Sequence, residues 1–226
     1  MCGRYARARS AIDYVVPLAL DRDPRLPDND SPSWNARPQT SQPVIYPDAT
    51  VARVRWGYLP AWQAARKGRP LINAKSEKLL GTWKALARRG RVIVPGDCWY
   101  EWVKAPDGGK QPYAIRRIDG APLWMAGLCS VAHDAELHEG DGFQIVTALA
   151  DAGLVDVHDR RPVVFDAAHA REWLEAGESA EAADALAREA ALPAEAFTWY
   201  PVSRDVNASA GANVHDAPYL VEPLDT

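Results

Sequence analysis

Apolar and polar positions change period along the chain, and the changes mark out the elements. Residues 51–56 alternate apolar and basic side chains, the two-residue period of a strand with one buried face. Residues 91–95, 98–103, 113–118, 123–131 and 143–149 are short runs rich in Val, Ile and aromatics, and predict five more strands. A helical period runs from Ser76 to about Arg89: Leu79, Leu80, Trp83 and Leu86 share a face, Ser76 stands as N-cap and Gly90 ends the segment. Asp166 and Ser179 each precede an Ala/Glu-rich helix, reaching about Ala176 and Ala191, with Trp173, Leu174 and Leu186 turned inward. Between residues 18 and 47 neither period holds. Pro24, Pro27, Pro32, Pro38 and Pro43 forbid a long helix there and predict an extended connection. Strands that precede separate helices imply the α+β class rather than a βαβ repeat. No Gly-rich loop joins a strand to a helix, so nucleotide-cofactor folds have no support.

At 226 residues the chain makes one large domain or two small lobes, and its 47% hydrophobic and 25% charged residues are those of a globular protein. Asp13 and Pro17 break the most apolar early run, leaving neither a spanning helix nor a secretory segment; the expectation is a cytoplasmic protein with no membrane partner. Cys2, Cys98 and Cys129 lack CxxC spacing and no two histidines stand at i, i+4, so neither a disulfide framework nor a metal site is expected. The net charge of −4 hides an asymmetry. Residues 1–118 hold 21 Lys and Arg against 10 Asp and Glu, whereas residues 119–226 hold 5 against 20. Such a division suits a basic surface for a polyanion with an acidic surface facing away; two solvated faces that partly neutralise each other are the plainer reading.

Four residues can carry chemistry. Removal of Met1 would leave Cys2 with an amine and a thiol on one residue. The α-amine, with a pKa of about 7.7–8.0, condenses with aldehydes near neutrality, and the neighbouring thiol can close a thiazolidine. Asn73, at the end of a short strand, has an amide able to donate to an oxyanion or orient a carbonyl. Glu101 lies among aromatics in Trp99-Tyr100-Glu101-Trp102, where alternation sends Trp99 and Glu101 to one face; a carboxyl beside Trp can have a raised pKa and serve as acid or base. His158 stands between an apolar run and a charged turn and suits proton transfer. Read singly, the four are also a terminal residue, a turn Asn, a strand Glu on a wet face and a surface His. Arg4, Arg37, Arg53, Arg55, Arg66, Lys67, Arg69, Lys75 and Arg160 suit phosphates, and Trp34, Trp62 and Pro38 suit bases.

Met1-Cys2-Gly3-Arg4-Tyr5, Asn35-Ala36-Arg37-Pro38, the stretch Trp56 to Trp62, Asn73-Ala74-Lys75-Ser76-Glu77, Trp99 to Trp102, His158 to Pro162 and Pro201-Val202-Ser203 follow one another in the order of the SOS response-associated peptidase (SRAP) family, which the chain resembles from residue 2 to beyond 203. The resemblance implies a single compact β-rich α+β domain over residues 1–226, barrel-like, with mixed and antiparallel sheets and peripheral helices. It implies a monomer without cofactor that binds single-stranded DNA and attaches its mature N-terminal cysteine to abasic sites, shielding the lesion in the DNA damage response. On that resemblance Cys2 is the cross-linking residue, Asn73 and Glu101 are the polar groups around it and His158 is the acid/base histidine. Arg4, Lys75 and Arg160 fall at phosphate contacts, and Asn35, Pro38 and Trp62 lie near the DNA path. The family usually has Arg at position 75, and residues 63–69 are longer and more basic than usual.

Chemistry and resemblance together give a mechanism in which His158 protonates the sugar ring oxygen, Glu101 takes the α-ammonium proton, the amine forms an imine and the thiol adds to it. Without the thiol step the imine permits β-elimination, a lyase side reaction. Two alternatives stand beside this: a thiol peptidase or autopeptidase with Cys2 as nucleophile, the latter cleaving its own Met1–Cys2 bond, and a non-enzymatic single-stranded-DNA-binding module.

Overall fold

In a computed structural model, described over residues 2–150, 158–207 and 215–224, the strands gather into two sheets. In chain order the elements are β1 (Tyr5–Arg7), α1 (Ala11–Val15), β2 (Ser33–Ala36), β3 (Ser41–Ile45), β4 (Val51–Arg55), α2 (Ala61–Ala64), β5 (Asn73–Lys75), α3 (Lys84–Arg89), β6 (Arg91–Gly96), β7 (Cys98–Lys104), β8 (Lys110–Arg117), β9 (Leu123–Cys129), β10 (Phe143–Leu149), β11 (Arg160–Pro162), β12 (Val164–Phe165), α4 (Ala167–Glu175), α5 (Ala180–Glu189) and β13 (Phe197–Pro201). The first sheet has the order β13-β8-β7-β1-β2. The second has the order β11-β10-β9-β6-β3-β4, with β12 added to β9 and β5 to β10. All pairings between these named strands are antiparallel except that of β5 with β10.

Strand alternation builds the layers. Val92 and Val94 of β6 and Met125 of β9 face the first sheet and meet Tyr5, Trp99 and Ile115 in the core between the sheets. Ile93, Ala126 and Leu128 face the other way and are covered by Ala87, Trp173, Leu174 and Leu186 of α3, α4 and α5. The outer face of the first sheet, with Ala6, Cys98, Tyr100 and Ala114, is covered by Val202, Val206 and Leu220. Asp166 and Ser179 cap α4 and α5 as the sequence predicts, accepting from the backbone N–H of His169 at 2.9 Å and of Ala182 at 3.0 Å.

Two expectations are corrected. The helix expected from Ser76 to Arg89 is a 3₁₀ turn (Ser76–Lys78), then a turn, then the six-residue α3. Gly81 interrupts it: the Gly81 and Trp83 amides both return to the Lys78 carbonyl, which turns Trp83 into the core and leaves Leu80 exposed. The sheets also do not close into a barrel. Among the described residues the terminal strands of one sheet do not pair with those of the other, so the interior is a two-sheet core. Among the described residues no helix is long and apolar enough to cross a membrane.

Candidate functional site

Strand β1 lies between β2 and β7, and this fixes the start of the chain. Tyr5 opposes Trp99 and Ala6 opposes Cys98, and the Tyr100 amide donates to the Arg4 carbonyl at 3.0 Å. Carried two and three positions beyond Tyr5, this antiparallel register sets Gly3 opposite Glu101 and Cys2 opposite Trp102. Cys2 is fully buried in the core between the sheets, its thiol 3.9 Å from the Arg4 carbonyl.

Glu101 shares the face of Trp99, as the alternation requires, and is 2% exposed. Burial pushes its carboxyl up to about 7, against the pull of the chain's N-terminal ammonium. Burial, with the Glu101 charge second, raises the Cys2 thiol far above its ordinary range. The thiol is therefore protonated at neutral pH.

Asn73 arrives from the opposite sheet. Its strand β5 runs parallel to β10, with Asn73 opposite Ile145, and the preceding Ile72 carbonyl accepts from the Trp56 indole at 3.0 Å. Gly57, at φ +134°, lets the chain turn directly after Trp56, whose ring stacks on Phe143 at 6.3 Å. The Asn73 side-chain amide donates to the Cys2 carbonyl at 2.9 Å, tying the start of the chain to the second sheet.

His158 completes the cluster, its Nε2 4.0 Å from Glu101 Oε2. On the other side Nδ1 meets the Arg160 amide at 3.0 Å and Asp159 Oδ1 at 2.5 Å, so the ring presents Nε2 to Glu101. Burial first, then the N-terminal ammonium, lowers the histidine below its ordinary value; Asp159 pulls it up and Arg160 pushes it down. One carboxyl raised and one imidazole lowered, 4.0 Å apart, titrate as a coupled pair.

The residues assigned to the DNA path are less uniform. Lys75 is exposed on the same face of β5 as Asn73, Trp62 is exposed on α2 with its ring 6.4 Å from Trp83, and Pro38 is half-buried in the turn closed by Thr40. Residues 61, 62, 64–67 and 69 are also exposed. Asn35 is buried: its Oδ1 accepts from Arg4 at 2.7 Å and its Nδ2 donates to the His215 carbonyl at 2.9 Å, so it orients Arg4.

Arg160, expected at a phosphate, is 6% exposed and already engaged. It donates to both oxygens of Glu77 at 2.9 and 2.8 Å, and to the Thr147 carbonyl at 2.7 Å and hydroxyl at 3.4 Å. Glu77 went unassigned in the sequence, although it closes the quoted stretch Asn73–Glu77. Gln144 was missed outright; it is fully buried and donates to the Asn73 carbonyl at 3.3 Å, its only signal being one amide in an apolar strand.

Hydrogen bonds from Arg160 hold the Glu77 carboxyl down at about 2. A carboxyl depressed in the folded state stabilises above its unfolded pKa and loses that contribution as pH falls through the folded one. Glu77→Gln is expected to melt about 2–4 °C lower than the parent at pH 7, for a pair worth about 1 kcal/mol with its carboxylate half in solvent. The gap should close between about pH 4.5 and pH 2. A gap that stays constant down to pH 3 would show that the ion pair is not its source.

The family model described as SOS response associated peptidase (SRAP) matches residues 1–209. The chain belongs to the SRAP family. Among its SRAP relatives, "Abasic site processing protein YedK" of Escherichia coli (strain K12) is 39% identical over 231 residues, covering 99% of this chain and 100% of that protein. "Abasic site processing protein HMCES" of Xenopus tropicalis is 28% identical, covering 92% of this chain and 75% of its own. A solved phage-related protein of Bordetella bronchiseptica superposes with a TM-score of 0.74 at 38% identity, over 90% of this chain and 95% of its own. A Bacteroides thetaiotaomicron protein shares the fold at the same TM-score and 20% identity, over 98% and 99% of the two chains. The cluster of Cys2, Asn73, Glu101 and His158 is thus a feature of a chain that is SRAP-like along nearly its whole length. Among the described residues, no group of three or more His, Cys, Asp or Glu side chains is arranged to hold a metal ion.

Proposed function

We propose that this protein processes abasic sites in single-stranded DNA by forming a covalent bond through Cys2 once Met1 has been removed. The observation that carries the reading is the convergence of Cys2, Asn73, Glu101 and His158 from both sheets, with Glu101 buried beside the start of the chain. The names of the relatives, which describe abasic site processing, agree with it.

The electrostatics favour an order of steps. A protonated, buried thiol is a poor first nucleophile, whereas the α-amine that removal of Met1 frees on Cys2, ordinarily about 7.7–8.0, has the Glu101 carboxyl nearby as a proton acceptor. His158 gives a proton to the ring oxygen as the bond from C1′ to that oxygen breaks, the C1′ hydroxyl loses its own proton to water, and the sugar opens to its C1′ aldehyde. The free amine adds to C1′, water leaves and an imine forms. The Cys2 sulfur then adds to the imine carbon while its proton passes to nitrogen, closing a thiazolidine. Asn73, by holding the Cys2 carbonyl, keeps the amine and thiol turned toward the same carbon.

A thiol peptidase is less well supported: the Cys2 sulfur lies against the Arg4 carbonyl, and both burial and Glu101 push the thiol away from the thiolate that a peptidase requires. Incubating Met1-free protein with abasic single strands, intact single strands and peptides tests the proposal. The expected result is a denaturation-resistant band, shifted by the mass of protein plus DNA less water, with the abasic strand alone. Peptide cleavage with no such band would establish the alternative.

Exposed basic residues near the cluster give the strand its path. Lys75→Ala is expected to weaken binding of intact single strands and to reduce the log–log salt slope by about 0.7, the signature of one lost phosphate contact. Lys75→Arg, which adds a bidentate fork, should bind as well or more tightly. An unchanged slope in Lys75→Ala would remove Lys75 from the path.

A further inference from the structure

Glu77 stands apart from the proton-transfer cluster, yet it makes a two-pronged ion pair beside it. Its carboxylate meets Arg160 through both oxygens at 2.9 and 2.8 Å, the two-pronged geometry that a guanidinium equally offers a phosphate. The two partners differ in mobility. Arg160 is nearly sealed off, and the Thr147 carbonyl and hydroxyl, on a different strand from its own, fix its guanidinium whether or not Glu77 is present. Glu77 is the looser partner: its side chain is 49% exposed and sits in the 3₁₀ turn that follows β5, two residues beyond the exposed Lys75. An anion approaching along Lys75 therefore meets a guanidinium that is held in place and covered by one movable carboxylate.

We propose that Glu77 is a specificity-determining residue that acts as a built-in stand-in for a DNA phosphate. It occupies Arg160 in the unbound protein, and a backbone phosphate takes that guanidinium only by displacing it. This inference rests on the single-strand reading given above. Its consequence is a deliberately weakened grip on intact strands, so that retention on DNA depends on the bond to the lesion and not on charge. The groups facing Arg160 are Glu77 from the turn and Thr147 from β10, while the Arg160 amide reaches His158. Removing the Glu77 charge thus acts on binding first.

The test is Glu77→Gln in the full-length, Met1-free protein, titrated with an intact single-stranded oligonucleotide over a range of salt. The variant is expected to bind about fivefold more tightly and to show a salt slope steeper by about 0.7, one additional phosphate contact. Placing Arg160→Ala in the Glu77→Gln background should erase the gain. The melting temperature provides the contrast: the variant is less stable but binds better, whereas a residue that merely supports the fold would weaken both. Glu77→Asp, which keeps the charge but withdraws the carboxylate by one methylene, should fall between parent and Glu77→Gln and serves where the latter folds poorly. Equal or weaker binding by both variants overturns the inference. If the parent cross-links to abasic strands and neither variant gains affinity, the inference alone fails; if the parent neither binds single strands nor cross-links, the underlying reading fails with it.

Discussion

Cys2→Ala is expected to abolish the denaturation-resistant complex with abasic single strands, while Cys2→Ser converts capture into strand cleavage. The two substitutions separate the amine from the thiol. Both keep an α-amine three residues ahead of β1, and Asn73 still has a residue-2 carbonyl to hold, so imine formation remains open. Neither keeps the sulfur that converts the imine into a ring. An imine at C1′ acidifies the neighbouring C2′ hydrogens, and loss of the 3′ phosphate by β-elimination then competes with hydrolysis. The serine hydroxyl can donate a hydrogen bond at the site and is the better cleaver of the two; its oxygen closes a far weaker ring. Gel electrophoresis after denaturation, with and without borohydride to trap the imine, distinguishes these species. Stable adducts from Cys2→Ala at the parent's level would exclude Cys2 sulfur from the linkage.

The second large effect divides Glu101 from His158. With a closed-ring abasic sugar, His158→Ala is expected to slow cross-linking by about 10²–10⁴-fold, the range for a lost general acid. With a small open-chain aldehyde the same variant should react nearly as the parent does, since no ring has to open. Glu101→Gln should slow both, because either aldehyde requires the α-amine without its proton. The parent's rate on the closed sugar should be bell-shaped in pH. It falls on either side with the two titrations of the pair, because the working form has Glu101, raised to about 7, ionised and the lowered His158 still protonated. Because the two groups lie 4.0 Å apart, both limbs belong to the pair. His158→Ala should lose the alkaline limb and Glu101→Gln the acid one. Equal losses on both aldehydes for His158→Ala would assign His158 to holding the site together.

The longer strands, β4 and β6 to β10, were legible in the sequence from alternation or from runs of Val, Ile and aromatics, and Val92, Ile93 and Val94 go to alternate layers as a two-residue period demands. The caps of α4 and α5 were legible because a cap is a local hydrogen bond. The segment after Ser76 was misread because its apolar spacing is helical, while one glycine and the burial of Trp83 decide the backbone. At the site, the sequence offered Cys2, Asn73, Glu101 and His158 as separate candidates by residue type, and the fold brings them together. What it could not offer was partnership at a distance. Arg160 and Glu77 are 83 positions apart and Arg4 and Asn35 are 31 apart, so nothing local distinguishes an arginine open to DNA from one already satisfied by the protein.

The place of β1 within its sheet has a mechanical consequence. A bond at residue 2 would enter the protein through a three-residue strand gripped on one side by β2 and on the other by β7, itself the strand that carries Glu101. Tension applied to the DNA by a translocating motor would be shared between hydrogen bonds on both flanks of that strand, which lies one place in from the edge of the first sheet. The linked protein would yield to such a pull by losing a strand that is paired on both sides, not by peeling away an edge.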